Sequence, residues 1–204
     1  MNGQKKLTAQ FRKRTGWIQV AGLLAVPLVY VLVGRIVVNP RGVLAGDPAP
    51  AFSLPVARGG RCDLTALLAR KRVVLLSFID ARPQPFSCPH SGSSRGQVVF
   101  LKSMAQQYTQ NGVEVLMVGC NQPFGARPLT ANSLLNFSYD WQLDGITVLR
   151  GDESTISRYG VFTLPMTLLI ASDGRIQRRW DGFAPASQLA LALEPLVGPP
   201  RFRR

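Results

Sequence analysis

Three short, almost wholly apolar runs stand out along the chain: Val73-Val-Leu-Leu-Ser-Phe-Ile79, Val113 to Val118 and Leu168-Leu-Ile170. Each is short and bounded by turn residues, a pattern that predicts buried strands. The first leads through a polar loop carrying Cys88-Pro89-His90-Ser91 into a run, from about Ser94, where Val98, Leu101, Met104, Ala105 and Tyr108 recur at helical spacing. That is a buried strand feeding a crossover helix, with Asn111-Gly112 as its stop signal.

The flanks fill in around this unit. Ala51 to Pro55, the turn Ala57-Arg-Gly-Gly60 and Arg61-Cys62 predict a small hairpin, and Leu64 to Ala69 a brief helix capped by Asp63. Downstream, Ala131 to Tyr139 is predicted helical, Ile146 to Leu149 a strand, and Glu153 to Tyr159 a helix with Asp152 near its cap. Ser172-Asp-Gly174 turns the third apolar strand into an antiparallel partner, Arg175 to Trp180. Pro185 to Glu194 closes the chain as an amphipathic helix, with Pro195 near its end. The order is βαβ, hairpin, helix, which is an α/β domain with helices against a central sheet.

Before this domain the pattern changes. Lys5, Lys6, Arg12, Lys13 and Arg14 stand without an acid among them, and Trp17 to Val38 is then apolar except for Gln19 and Arg35. As a helix that run reaches about 33 Å, enough to cross a hydrocarbon core. The basic cluster places the N-terminus in the cytoplasm and the domain outside, periplasmic in a bacterium. A cleaved signal is the other reading, with Val43-Leu44-Ala45 as a faint cleavage site, but the apolar region is long for a signal. The chain thus divides into a basic terminus (1–16), a membrane anchor (17–38), a linker (39–50), a domain (51–197) and a basic tail (198–204).

The net charge of +13 suggests a nucleic-acid binder until it is located. Five of the cations are the terminal cluster, and from Ala45 onward 17 Lys or Arg face 11 Asp or Glu with no aromatic interleaving. Nucleic acid is therefore excluded as an expected partner; a lipid surface suits the charge.

The three cysteines, Cys62, Cys88 and Cys120, then lie in an oxidising compartment, and an odd count leaves at least one thiol free or paired with another molecule. Cys62 on a short strand reads as structural. Cys88 lies in a loop with little core to offer, near the positive end of a helix that favours the thiolate. His90, the only histidine, could raise the thiolate fraction or shuttle a proton, or be a solvated loop residue. Cys120 ends a strand expected to lie parallel to the first, so it is either a resolving thiol or a small apolar filler. No residue set asks for a cofactor.

Gly46-Asp47-Pro48-Ala49-Pro50-Ala51-Phe52-Ser53-Leu54, Tyr159-Gly160-Val161 leading to Leu164-Pro165-Met166-Thr167, and Asp173-Gly174-Arg175-Ile176 occur in that order. Together they resemble the thioredoxin-like redoxins of the TlpA/ResA and AhpC/TSA type, over residues 46 to 197. The resemblance implies a thioredoxin fold, a cis bond before Pro165 close to the reactive thiol, and protein thiol or disulfide partners in the envelope. It also implies Cys-x-x-Cys at the start of the helix. Here one register offers Ser91-Gly92-Ser93-Ser94, and a second offers Cys88-Pro89-His90-Ser91, with serine in the second cysteine's place. The motif is degenerate. A single-thiol oxidoreductase and a non-catalytic binding module for an envelope protein both remain open. A metal chaperone is a lesser reading, because one cysteine and one adjacent histidine fall short of a closed ligand set.

Overall fold

The three apolar runs become neighbouring strands. A computed structural model describes residues 42–70, 72–81, 89–120 and 129–200, the backbone alone for 89–93. The expected basic terminus, anchor, Cys88, the side chains of His90 and Ser91, and the tail from 201 lie outside the described residues. Among the described residues no helix is long and apolar enough to cross a membrane.

The elements run β1 (Ser53–Pro55), β2 (Arg61–Asp63), α1 (Leu64–Ala69), β3 (Val73–Asp80), α2 (Pro89–Tyr108), β4 (Val113–Cys120), α3 (Ala131–Asp140), β5 (Thr147–Arg150), α4 (Glu153–Tyr159), β6 (Met166–Ile170), β7 (Ile176–Asp181) and α5 (Ala186–Val197). β1 and β2 form a hairpin, and the main sheet has the order β5-β4-β3-β6-β7. β3 is parallel to β4 and antiparallel to β6. Every residue of β3 is buried, because both faces of the sheet are covered. Leu75, Ile79, Val115 and Met117 meet Val98, Leu101 and Met104 of α2 and Leu189 and Leu193 of α5. On the other face Val74, Leu76, Phe78, Leu116 and Val118 meet Leu54, Leu64 and Tyr159. This is the thioredoxin-like arrangement, a mixed sheet flanked by helices.

The caps follow the sequence. Asp63 accepts from the Ala66 N–H at 3.1 Å and Asp152 from the Thr155 N–H at 2.6 Å, each satisfying an orphan donor of a helix start. Two boundaries differ by three residues or more. α2 begins at Pro89 instead of near Ser94, because a first-turn proline gives up only an N–H that has no partner there. The apolar period marks where the helix meets the sheet, which is later than where it starts. α5 continues through Pro195 to Val197; the carbonyl that loses its donor belongs to Leu191, which is 73% exposed and can be hydrated.

The segment expected as a linker is in large part laid along the sheet. Val43 is buried, the Gly46 N–H donates to Ile176 O at 2.8 Å, and the Ile176 N–H donates to Asp47 O at 2.9 Å. Arg179 fastens its beginning: Nη1 donates to Val43 O and Tyr159 O at 3.0 Å, Nη2 to Gly160 O at 2.9 Å, and the guanidinium pairs with Asp181 at 2.7 Å. Gly42 and Gly160 touch so closely that a Cβ on Gly160 would stand 2.3 Å from Gly42 Cα.

Candidate active site

Strand directions bring four chain ends to one edge of the sheet. β3 and β4 run parallel, so Asp80 and Cys120, partners in register, end there together. β6 runs the other way and begins there, with Met166 opposite Phe78, and β7 ends there, with Asp181 opposite Met166. The N-terminal half of α2 is tied to the same edge, since the Asp80 N–H donates to Ser94 Oγ at 3.3 Å. A buried hydroxyl pair, Ser77 Oγ and Thr167 Oγ1 at 2.9 Å, fixes the β3–β6 register just below.

The Leu164–Pro165 bond is cis, as the resemblance implied. Pro165 is buried, its carbonyl accepts from the Gly182 N–H at 2.8 Å, and Thr163 and Phe162 before it are exposed. Pro165 and Cys120 thus flank the end of β3 from opposite sides, two strand spacings apart, or about 10 Å. In sequence Cys88 directly precedes Pro89, the first residue of α2.

The two described thiols have different surroundings. Cys120 is 2% exposed and packs in the cluster with Phe78, Val118 and Tyr159, on the face opposite α2. Burial, and then the Asp80 carboxylate, push its thiol well above the ordinary range. Cys62 lies on β2, half-buried against the same cluster, and burial with Glu114 and Asp63 pushes its thiol up to about 11. Among the described residues no three His, Cys, Asp or Glu side chains gather as a metal set.

A model of the AhpC/TSA family matches residues 45–179. The chain belongs to the AhpC/TSA family. None of the curated proteins compared matches it. Among solved structures it is similar to a candidate thiol:disulfide interchange protein DsbE from Chlorobium tepidum, at 25% identity and TM-score 0.59, covering 76% of this chain and 96% of that one. It is similar also to a thiol-disulfide oxidoreductase from Bacteroides fragilis, at 22% identity and TM-score 0.57, covering 74% and 100%. Peroxidoxin BcpB from Mycobacterium tuberculosis shares the fold at 18% identity and TM-score 0.58, covering 76% and 96%.

Three side chains at this AhpC/TSA edge escape sequence reasoning. Asp80 ends a strand that is apolar but for Ser77, and its lone carboxylate was the available signal. Ser94 is one serine among several. Gln97 is fully buried, its Oε1 accepting from the Ala184 N–H at 2.8 Å, while among the described residues its Nε2 has no partner. It ties α2 to the turn after β7, and Phe183 of that turn stacks on Phe100 of α2 with ring centroids 5.1 Å apart.

Proposed function

We propose that this AhpC/TSA protein is a membrane-anchored, extracytoplasmic thiol oxidoreductase that works through one thiol, Cys88. The observation that carries the reading is the start of α2 at Pro89, on the sheet edge that also holds cis-Pro165. A cysteine one residue ahead of a helix start has unsatisfied N–H groups and the positive end of the helix dipole beside it, both of which favour the thiolate. The register Cys88-Pro89-His90-Ser91 then stands in the place of Cys-x-x-Cys, with His90 as the nearby proton carrier.

The Cys88 thiolate attacks one sulfur of a partner disulfide; the Cys88–partner S–S bond forms, the old S–S bond breaks, and the departing sulfur takes a proton. With serine at position 91, a second thiol must displace the captured partner. Cys120 was the candidate within the chain. Its burial, its raised thiol and its position on the face opposite α2 favour a thiol from outside, either a small thiol or the partner's own second cysteine. Residues 17–38 hold the domain to the bilayer, and the cluster before them sets its orientation.

Ser91 favours a second reading, a non-catalytic module that binds an envelope protein. The full chain with Cys88→Ser, assayed against an aromatic disulfide at neutral pH, separates the two. The oxidoreductase reading expects loss of exchange with an unchanged melting temperature; equal exchange rates in the two proteins leave the binding module.

A further inference from the structure

We infer that Gln97 is a positioning residue: it holds α2 at a fixed gap from Pro165, and that gap sets a preference for disulfides carried on a peptide over small ones. This rests on the oxidoreductase reading and adds the residue that sets its selectivity. Among the described side chains of α2, Ser94 and Gln97 are the buried polar ones, about one turn apart on one face. Each accepts from a backbone N–H at the edge of the sheet where β3 ends. Ser94 takes that of Asp80, the last residue of β3, and Gln97 takes that of Ala184, in the turn after β7. The same turn holds Pro165, since the Gly182 N–H donates to Pro165 O at 2.8 Å. Two hydrogen bonds and one short turn thus connect Pro165 to α2.

Phe183, between those two bonds, stiffens the connection. Its ring lies 5.1 Å from the Phe100 ring and so close to Gly96 that a Cβ there would stand 3.0 Å from its Cε2. Gln97 makes its bond at a cost to stability, because its buried amide donor, Nε2, has no partner among the described residues. Such a departure from full polar satisfaction is expected at a functional site. Cys88 directly precedes Pro89, the first residue of α2, so a peptide captured on its sulfur lies between α2 and Pro165. Its fit depends on that gap. A small disulfide needs only the thiol.

The test uses the full chain in detergent with two chromogenic substrates: the aromatic disulfide, and the same aromatic thiol bound as a mixed disulfide to the cysteine of a short unstructured peptide. With the second, the Cys88–peptide S–S bond forms, the peptide–aryl S–S bond breaks, and the aromatic thiolate leaves with the electron pair. Gln97→Met nearly keeps the side-chain volume but deprives the Ala184 N–H of its acceptor. It should lower the peptide rate about tenfold and leave the rate with the aromatic disulfide unchanged. Gln97→Glu, which offers an oxygen in either protonation state, should keep both rates. Gly96→Ala retains Gln97 and displaces the Phe183 ring; it should repeat the selective loss, and it carries the test if Gln97→Met does not fold. Equal peptide rates in the variant and the unmutated protein, or an equal fall with both substrates, overturn the positioning role and leave the oxidoreductase reading standing. Exchange that survives Cys88→Ser overturns the oxidoreductase reading, and this one with it.

Discussion

Arg179→Met removes a side chain that holds three pieces of backbone at once. The guanidinium, with a side chain only 10% exposed, serves the carbonyls of Val43, Tyr159 and Gly160 and pairs with Asp181, whose side chain is 54% exposed. The ion pair itself contributes little, because Asp181 can turn to water. The carbonyls matter more: two belong to the C-terminal turn of α4, where the helix dipole already favours a cation. A buried acceptor left without its donor costs about 1–3 kcal/mol. With partial hydration, three of them come to about 3 kcal/mol. At a urea slope of about 2 kcal/mol/M, the midpoint should fall by about 1.5 M. Arg178→Met, one residue away and exposed, is the control and should change stability by less than about 0.5 kcal/mol. Urea unfolding of the full chain in detergent, followed by tryptophan fluorescence, reads both variants. Equal midpoints for the two would show that the clamp contributes nothing.

Three further outcomes follow from the packing and the thiols. Ser77→Ala and Thr167→Val should each cost about 1–2 kcal/mol, and the double variant should cost about 1 kcal/mol less than their sum, because the second change removes the orphan left by the first; strict additivity would refute the bond. Gly119→Ala places a Cβ 2.5 Å from Leu134 Cδ2 and 3.3 Å from Ala81 Cβ, which should cost about 1–3 kcal/mol and be nearly silent in a Leu134→Ala background, as read by thermal melting. Alkylation should label Cys88 first and Cys120 last. Cys62, with its thiol at about 11, should react about a hundredfold more slowly at pH 8 than a free thiol. The folded state holds the Cys62 proton more tightly than the unfolded chain does, so this contribution to stability is complete below pH 9 and lost as the pH rises toward 11. A pH-independent labelling rate would show that the raised pKa does not govern the reaction.

Much of the fold was legible because its strands are buried on both faces. Val73 to Ile79, apolar but for Ser77, and Leu168 to Ile170 read as buried runs for the same reason that every residue in them is covered. The caps Asp63 and Asp152 and the stop at Gly112, with φ of 88°, were also local signals. What failed was of another kind. The bond between Arg179 and Val43 was not legible, because a contact between residues 136 apart leaves no pattern in either stretch. The start of α2 was misplaced because hydrophobic period reports contact with the sheet, and the first turn of that helix reaches beyond it.

The candidate site was legible in outline for a related reason. Pro165 announced itself because the motif around it is local, and the parallel run of β3 and β4 followed from a crossover helix between two apolar strands. That topology put Cys120 at the right edge but could not say on which face its sulfur would lie. The face follows from register: Cys120 shares a side with Val118 and Leu116, Asp80 with Phe78 and Leu76, and both thus turn toward α4 and the hairpin while α2 covers the other side. A one-residue shift in either strand would reverse the placement. The buried bond between Ser77 and Thr167 opposes such a shift between β3 and β6, because any other register would leave two hydroxyls without partners in a dry core. The polar residue that interrupts the first apolar run therefore helps decide which way the residues at the candidate edge point.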